Sequence, residues 1–214
     1  MRLVLLGAPG CGKGTHSAWM VEELEVPQIS TGDILRDAVK NGTPLGKQAQ
    51  QYMESGKLVP DELILDMMGQ RLGEADAQRG FILDGFPRTV AQAEGLGKLL
   101  ADRDVLLDKV IRIDVDAGEL IGRLTSRRVC PNCKAVYNIH FKPPKQDEIC
   151  DVCGTTIVQR PDDTEETVRQ RLQVYEEQTA PLIQFYSRQG LLATVDGNRG
   201  FEETKAGIRS ALGL

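Results

Sequence analysis

Short runs of consecutive apolar residues alternate along the chain with longer helical stretches. The apolar runs are too brief for helices and suit strands buried on both faces. Residues 2–6 (Arg2 to Leu6), 81–83 (Phe81 to Leu83), 109–115 (Lys109 to Val115) and 191–195 (Leu191 to Val195) read as strands. Lys13 to Glu25 reads as a helix that stops before Pro27. Thr43-Pro44 opens another helix, and Asp116-x-x-Glu119 and Asp163-x-x-Glu166 are capping-box patterns for two more. Alternating β and α elements predict an α/β fold with a parallel sheet covered by helices. The order of strands is not contained in this pattern.

Two segments break the alternation. Residues 30–59 are helical and polar, with Asn41-Gly42 as an internal turn, and offer the sheet no convincing strand. Residues 126–163 carry four cysteines, Pro143-Pro144 and short β-branched runs, the marks of a small separate β module. There is no internal repeat and no low-complexity tract.

Composition narrows the class. Of 214 residues, 41% are apolar and 27% charged, enough apolar side chain to bury a sizeable core. No stretch approaches the ~18 consecutive apolar residues of a membrane span. The N-terminal run Leu3-Val4-Leu5-Leu6 turns into Gly7-Ala8-Pro9-Gly10 too soon for a secretory signal, so a cytosolic chain is expected. A net charge of −5 and an aromatic content of 5% speak against nucleic acid and anionic lipid as partners. Yet 16 of the 26 basic residues are arginine, whose planar fork suits bidentate phosphate recognition at local sites.

The candidate chemistry starts at Gly7-Ala8-Pro9-Gly10-Cys11-Gly12-Lys13-Gly14-Thr15, between a strand and a helix. Glycines let backbone N–H groups wrap phosphates, the helix N-terminus adds a favourable dipole, and Lys13 reaches the β and γ phosphates. The strict P-loop pattern has Ser or Thr directly after the lysine; here Gly14 intervenes and Thr15 follows. Asp84 closes the strand Phe81-Ile82-Leu83, ahead of Gly85-Phe86-Pro87-Arg88. A carboxylate at that end of a core strand is placed for Mg2+, commonly through water.

Cys130, Cys133, Cys150 and Cys153 form C-x2-C-x16-C-x2-C, a zinc spacing in a chain expected to be cytosolic. Four thiolates fill a tetrahedral Zn2+ and leave no position for water, so a structural role is expected. Cys11 stands apart in the glycine loop, open to reading as either alkylation-sensitive or buried and inert.

These residues, with Ser30-Thr31-Gly32-Asp33 and Arg36, resemble the adenylate kinase family over nearly the whole chain. The likeness runs through residues 7–15, 28–36, 56–59, 84–92, 127–129, 160–171 and 195–197, and it is to the long-lid bacterial form. The Gly14-Thr15 departure from the strict P-loop is that family's own pattern. The resemblance implies a doubly wound parallel sheet of the P-loop kinase type. Its core would comprise residues 1–29, 60–125 and 164–214, with a nucleotide-monophosphate-binding segment at 30–59 and a lid at 126–163. It implies reversible, Mg2+-dependent transfer from ATP to AMP, giving two ADP, by a cytoplasmic monomer. Closure of the lid over the phosphates belongs to the same implication.

The roles implied are specific. ATP would be held by Gly10, Cys11, Gly12, Lys13, Gly14, Thr15, Arg127, Val136, Tyr137 and Arg199. AMP would contact Thr31, Arg36, Lys57, Leu58, Val59, Gly85, Phe86, Pro87, Arg88, Gln92, Arg160 and Arg171. Lys13, Arg88, Arg127, Arg160 and Arg171 would be the catalytic set, placing positive charge where phosphoryl oxygens develop negative charge. Gln92 is also the last residue of a capping box begun at Thr89, so its amide has two competing readings. Zinc in the lid would be a variant feature, since many relatives use polar residues there. Two alternatives remain at this point. A UMP/CMP kinase shares the loop, although Thr31 and Thr89 favour AMP. A nucleotide-switched zinc-ribbon protein that binds nucleic acid would share the loop and the cysteines, against the acidic charge balance.

Overall fold

The computed structural model describes residues 1–214. Seven strands are present: β1 (Arg2–Leu6), β2 (Gln28–Ser30), β3 (Phe81–Asp84), β4 (Lys109–Asp114), β5 (Arg127–Val129), β6 (Val136–Asn138) and β7 (Leu192–Asp196). Nine α-helices join them: α1 (Lys13–Leu24), α2 (Thr31–Lys40), α3 (Pro44–Glu54), α4 (Asp61–Leu72), α5 (Val90–Ala101), α6 (Ala117–Thr125), α7 (Glu165–Val174), α8 (Pro181–Arg188) and α9 (Phe201–Leu212).

Five strands pair in parallel in the order β2-β3-β1-β4-β7. Both faces are covered, which is why the strands read as unbroken apolar runs. Along β1, Leu3 and Leu5 pack on one side with Met20 of α1, Leu120 of α6 and Ile208 of α9. Val4 and Leu6 pack on the other, with Met68 of α4, Leu96 of α5 and Leu182 of α8. Each such side chain, buried fully, contributes about 2 kcal/mol of transfer free energy. After β1 the chain crosses one face through α1 to β2, and after β3 it crosses the other through α5 to β4. The carboxyl ends of β1 and β3 therefore flank the crevice where open α/β sheets receive ligands.

The expected strands and helices are present, with small shifts of boundary. The strand absent from the sequence reading is β2, whose three residues are too few to show a pattern. The Asp163 capping box is corrected: Thr164 caps α7 by accepting from Thr167 N–H at 3.3 Å, and Asp163 is buried elsewhere. Asp116 also makes no side-chain cap, and Glu119 pairs with Arg123 instead. Thr43 does cap α3, its hydroxyl oxygen accepting from Gly46 N–H at 3.1 Å. A Cβ at Gly46 would collide with the Ala38 carbonyl, so glycine there allows α2 and α3 to pack backbone to backbone.

Residues 127–158 form a second body of structure. β5 and β6 pair antiparallel with Arg128 opposite Tyr137, and Val158 bridges to Val129. Its own small core contains Cys130, Tyr137, Cys150 and Ile157.

On α1, the His16 imidazole lies parallel to the Phe201 ring at 5.0 Å and accepts from the Trp19 indole N–H at 3.3 Å. Burial pushes its pKa down to about 4, so the folded chain keeps it neutral where the unfolded chain protonates it. The unfolded state then binds more protons between pH ~6.5 and ~4, and stability falls as pH drops through that window. The cost by pH 4 is at most about 3 kcal/mol. Thermal melts of His16→Gln are expected to lose that part of the acid slope, and an identical slope in both proteins would refute the assignment.

Candidate functional site

The glycine loop leaves β1 and turns into α1 through three left-handed residues, Gly7 (φ 142°), Gly10 (φ 87°) and Gly12 (φ 101°). A Cβ at Gly7 would strike the Ile113 carbonyl and Cys11 Sγ, so the tight turn requires glycine there. Gly12 occupies the N-cap of α1 and offers no capping side chain, and the first turn contains no acid. The result is an N-terminus whose dipole and amides suit an anion. Lys13 Nζ donates to the carbonyls of Gly7 at 2.7 Å and Ala8 at 3.0 Å. Cys11 is buried, with Sγ at 3.6 Å from Lys13 Nζ. Asp84, at the end of β3, stands against Gly14 and accepts from Gln28 Nε2 at 3.0 Å. Its oxygens are the hard donors that Mg2+ prefers.

Next to the loop, one cavity is lined by Thr31, Arg36, Lys57, Leu58, Val59, Gly85, Arg88, Gln92 and Arg171. Nine of the twelve residues in the implied AMP set thus share a single wall. Phe86 and Pro87 are buried. Thr31 donates to the Gly85 carbonyl at 2.8 Å, which ties α2 to the end of β3.

Gln92 reconciles its two readings. Thr89 Oγ1 accepts from Gln92 N–H at 3.0 Å, so the helix cap is real. The Gln92 amide is engaged elsewhere: Oε1 accepts from Arg88 N–H at 2.8 Å, and Nε2 donates to Asp61 Oδ1 at 2.7 Å. Those partners fix which end is oxygen, because a flipped amide would set like against like at both. One N–H and one lone pair remain, a donor and an acceptor side by side.

Five arginines converge at the cavity's mouth. Arg127 makes a two-pronged pair with Asp163, Nε to Oδ2 at 2.8 Å and Nη2 to Oδ1 at 2.6 Å. Arg171 Nη1 reaches Asp163 Oδ1 at 3.1 Å and Asp162 Oδ2 at 3.1 Å. Burial, with Arg171 and Arg36 adding repulsion, lowers the Arg88 pKa to about 10. Burial, with Arg127 and Arg36, brings Arg160 to about 10 as well. Burial alone would raise Asp162, yet Arg171, Arg36, Arg127 and Arg160 hold it below the usual carboxylate range. Asp33 pairs with Arg36 at 2.6 Å and Asp84 acts on Arg88; together with Asp162 and Asp163, the acids of the site are still outnumbered by its five guanidiniums.

The four cysteines lie on two matching turns. Lys134 N–H donates to Cys130 O at 3.0 Å and Gly154 N–H to Cys150 O at 2.9 Å. In both turns the residue after the second cysteine is left-handed: Lys134 at φ 63° and Gly154 at φ 70°. The four Sγ atoms lie within 4.8 Å of one another. A tetrahedral ion with Zn–S bonds of ~2.3 Å sets sulfurs ~3.8 Å apart, so the cluster fits one. Val136 is exposed, whereas the Tyr137 side chain turns inward to Cys150. Arg199 is 73% exposed and pairs with Asp196 at 3.0 Å.

Sequence reading missed the residues that hold the site residues. Asp163 reads in sequence as the start of a capping box, and nothing local in Arg160-Pro161-Asp162-Asp163 points to the arginines its acids meet. Asp61 braces Gln92 and Thr89, and Gln28 braces Asp84, across separations that no local pattern reveals. Lys134 of the cysteine module reaches Asp37 of α2 at 2.6 Å.

A parallel sheet in this order, with a glycine loop and lysine between its first strand and first helix, defines a P-loop kinase. Residues 5–191 match the family model described as adenylate kinase. The chain is 52% identical to the adenylate kinase of Citrifermentans bemidjiense over 99% of both chains. It is 51% identical to that of Carboxydothermus hydrogenoformans, again over 99% of each. Against that of Methanocella arvoryzae the identity is 49%, over 99% of this chain and 98% of the relative. The chain belongs to the adenylate kinase family.

Asp163 is fully buried between two arginines. Asp163→Ala leaves both without their shared partner and is expected to destabilise the fold by about 3 kcal/mol. Denaturant midpoints measure the loss, and a change below about 1 kcal/mol would assign the pairing no structural weight.

Proposed function

We propose that this chain transfers the γ-phosphoryl group of ATP to AMP, with ATP phosphates on Gly10–Thr15 and AMP in the adjoining cavity. The observation that carries this reading is that Arg36, Arg88 and Arg171 line that cavity, with Arg127 and Arg160 within electrostatic reach of them. Positive charge held in excess, and partly desolvated, suits the trianionic oxygens of a transferring phosphoryl group. An AMP phosphate oxygen forms the new P–O bond to the γ-phosphorus while the β–γ bridging bond breaks and its electron pair leaves with ADP. No protein nucleophile or strong base enters.

The protein's own part is to position and to neutralise. Lys13 exchanges the Gly7 and Ala8 carbonyls for phosphate oxygens, which carry full charge. Arg36, Arg88 and Arg171 hold the acceptor phosphate; Arg127 and Arg160 meet the γ-phosphate from the module at 126–163, the lid. Val136 and Tyr137 offer backbone to the donor, and Arg199, exposed and paired with Asp196, would reach it from the surface. Asp84 would hold the Mg2+ that accompanies ATP, through water, and the ion would supply charge neutralisation on the donor phosphates. The four cysteines would hold Zn2+ as a structural ion of the lid. Residues 30–59 serve as the AMP-binding segment, and residues 1–29, 60–125 and 164–214 as the core. No helix is long and apolar enough to cross a membrane. We place the chain in the cytoplasm as a monomer whose partners are ATP, AMP and ADP alone.

Acceptor choice tests the cavity. The remaining donor and acceptor of Gln92 match adenine's N6 and ring nitrogen, and a base that mismatches them leaves a buried amide unpaired. AMP is expected to exceed CMP by about 100-fold or more in kcat/KM. Equal values would reassign the acceptor while leaving nucleotide kinase chemistry intact.

Lys13→Met tests the donor side. Removing the ammonium while keeping a helix-compatible side chain is expected to lower kcat by about 100-fold or more with an unchanged melting temperature. A folded variant with near-native kcat would remove Lys13 from the catalytic set.

A further inference from the structure

Tyr137 is buried in the cysteine module, and nothing in the transfer chemistry uses its hydroxyl. That hydroxyl accepts from Asp151 N–H at 2.8 Å and stands 3.4 Å from Cys150 Sγ. The Asp151 amide takes one acceptor position of the oxygen and leaves the phenol proton free to point at the sulfur. A cysteine bound to a metal is a thiolate and cannot donate, which leaves Tyr137 as the donor. Asp151 lies between Cys150 and Cys153, so one phenol grips both a ligand sulfur and the turn that bears it. At its other end Tyr137 belongs to β6, directly opposite Arg128 on β5 and one pair from Arg127.

We propose that Tyr137 is a positioning residue for the metal: its hydroxyl donates to the Cys150 thiolate and fastens the β5–β6 hairpin, with Arg127, to the second cysteine turn. The proposal rests on zinc occupying the cluster. A hydrogen bond to a ligand sulfur withdraws electron density from the metal–sulfur bond and fixes the sulfur's direction. Without it, the second cysteine turn is tied to the hairpin by the metal, backbone bonds and packing, with no side-chain hydrogen bond to fix the direction of the Cys150 sulfur. The two turns differ in this respect, because Cys130 receives instead the backbone N–H of Cys133, at 3.5 Å.

The test compares wild type with Tyr137→Phe, which keeps the ring in the core, and with Phe141→Ser, a change at a 72% exposed position of the same module. Each protein is purified under reducing conditions, analysed for zinc, and challenged with a chromogenic chelator. Each is also reconstituted with Co2+, whose thiolate charge-transfer bands report the metal–sulfur bonds. Wild type and both variants are expected to hold about one zinc per chain. Tyr137→Phe is expected to release it about tenfold faster and to shift the cobalt bands, while Phe141→Ser matches wild type. KM for ATP should rise in Tyr137→Phe, with KM for AMP unchanged, because Arg127 rides on the hairpin and the acceptor cavity does not. Unchanged release, unchanged bands or equal KM values for ATP would overturn the proposal and leave the zinc reading standing. Equal effects in Phe141→Ser would overturn it too, as general softening of the module. A wild type without zinc would overturn both.

Discussion

Mutual repulsion among arginines is the constraint around which the molecule is arranged. Five guanidiniums share one partly buried cleft, and burial together with the neighbouring arginines disfavours the charged forms of Arg88, Arg160 and Arg171. The fold tolerates them because Asp162 and Asp163 stand among them on a short turn after Arg160. Even with Asp33 on Arg36 and Asp84 near Arg88, four carboxylates against five cations leave a net positive hole. A site balanced to neutrality would be more stable and would have little attraction for a phosphate. One held apart by full repulsion would not stay closed. The incomplete compensation leaves charge for a bound anion to supply, which is what the proposed reading requires.

The same acids couple distant parts of the chain. Asp163 accepts from Arg127, at the base of the cysteine module, and from Arg171, in α7 beneath the acceptor cavity. Lys134 and Asp37 add a contact at the outer edge, between the module and α2. Both partners there are about half exposed, so that pair is worth little by itself. The buried fork at Asp163 and the exposed pair at Asp37 therefore differ in kind. The first fixes where the module joins the core, and the second touches only when the module lies over α2.

What was legible in the sequence follows from how locally each feature is encoded. The glycine loop, its lysine, the strand that precedes it and the cysteine spacing are contiguous patterns, and each has one dominant physical use. Asp163 shows the opposite case. Its spacing to Glu166 matches a helix cap, and Thr164, one residue on, competes for the same helix N-terminus. Thr164 wins because Asp163 is drawn inward by two arginines 36 and 8 residues away in sequence. Local propensity could not weigh a partner it cannot see. β2 was missed for a related reason: three residues gain strand structure only by pairing with β3, a contact made across more than fifty positions.

Gln92 shows why neither reading of a residue need exclude the other. Its backbone N–H completes a helix cap and its amide is braced by Asp61 and the Arg88 backbone. That bracing settles the orientation of the amide before any base arrives. A free glutamine would lose side-chain rotamer freedom on binding and could present either end; this one has already given up that freedom in folding. The remaining donor and acceptor face a cavity whose other walls belong to α2, α3, α4 and the Gly85 turn. On the proposed reading, recognition of the base and stability of α5 draw on the same side chain, and the acid that braces it, Asp61, begins the adjoining helix α4. A change at Asp61 would be felt first as lost discrimination between bases, because the amide it releases could turn to suit another edge.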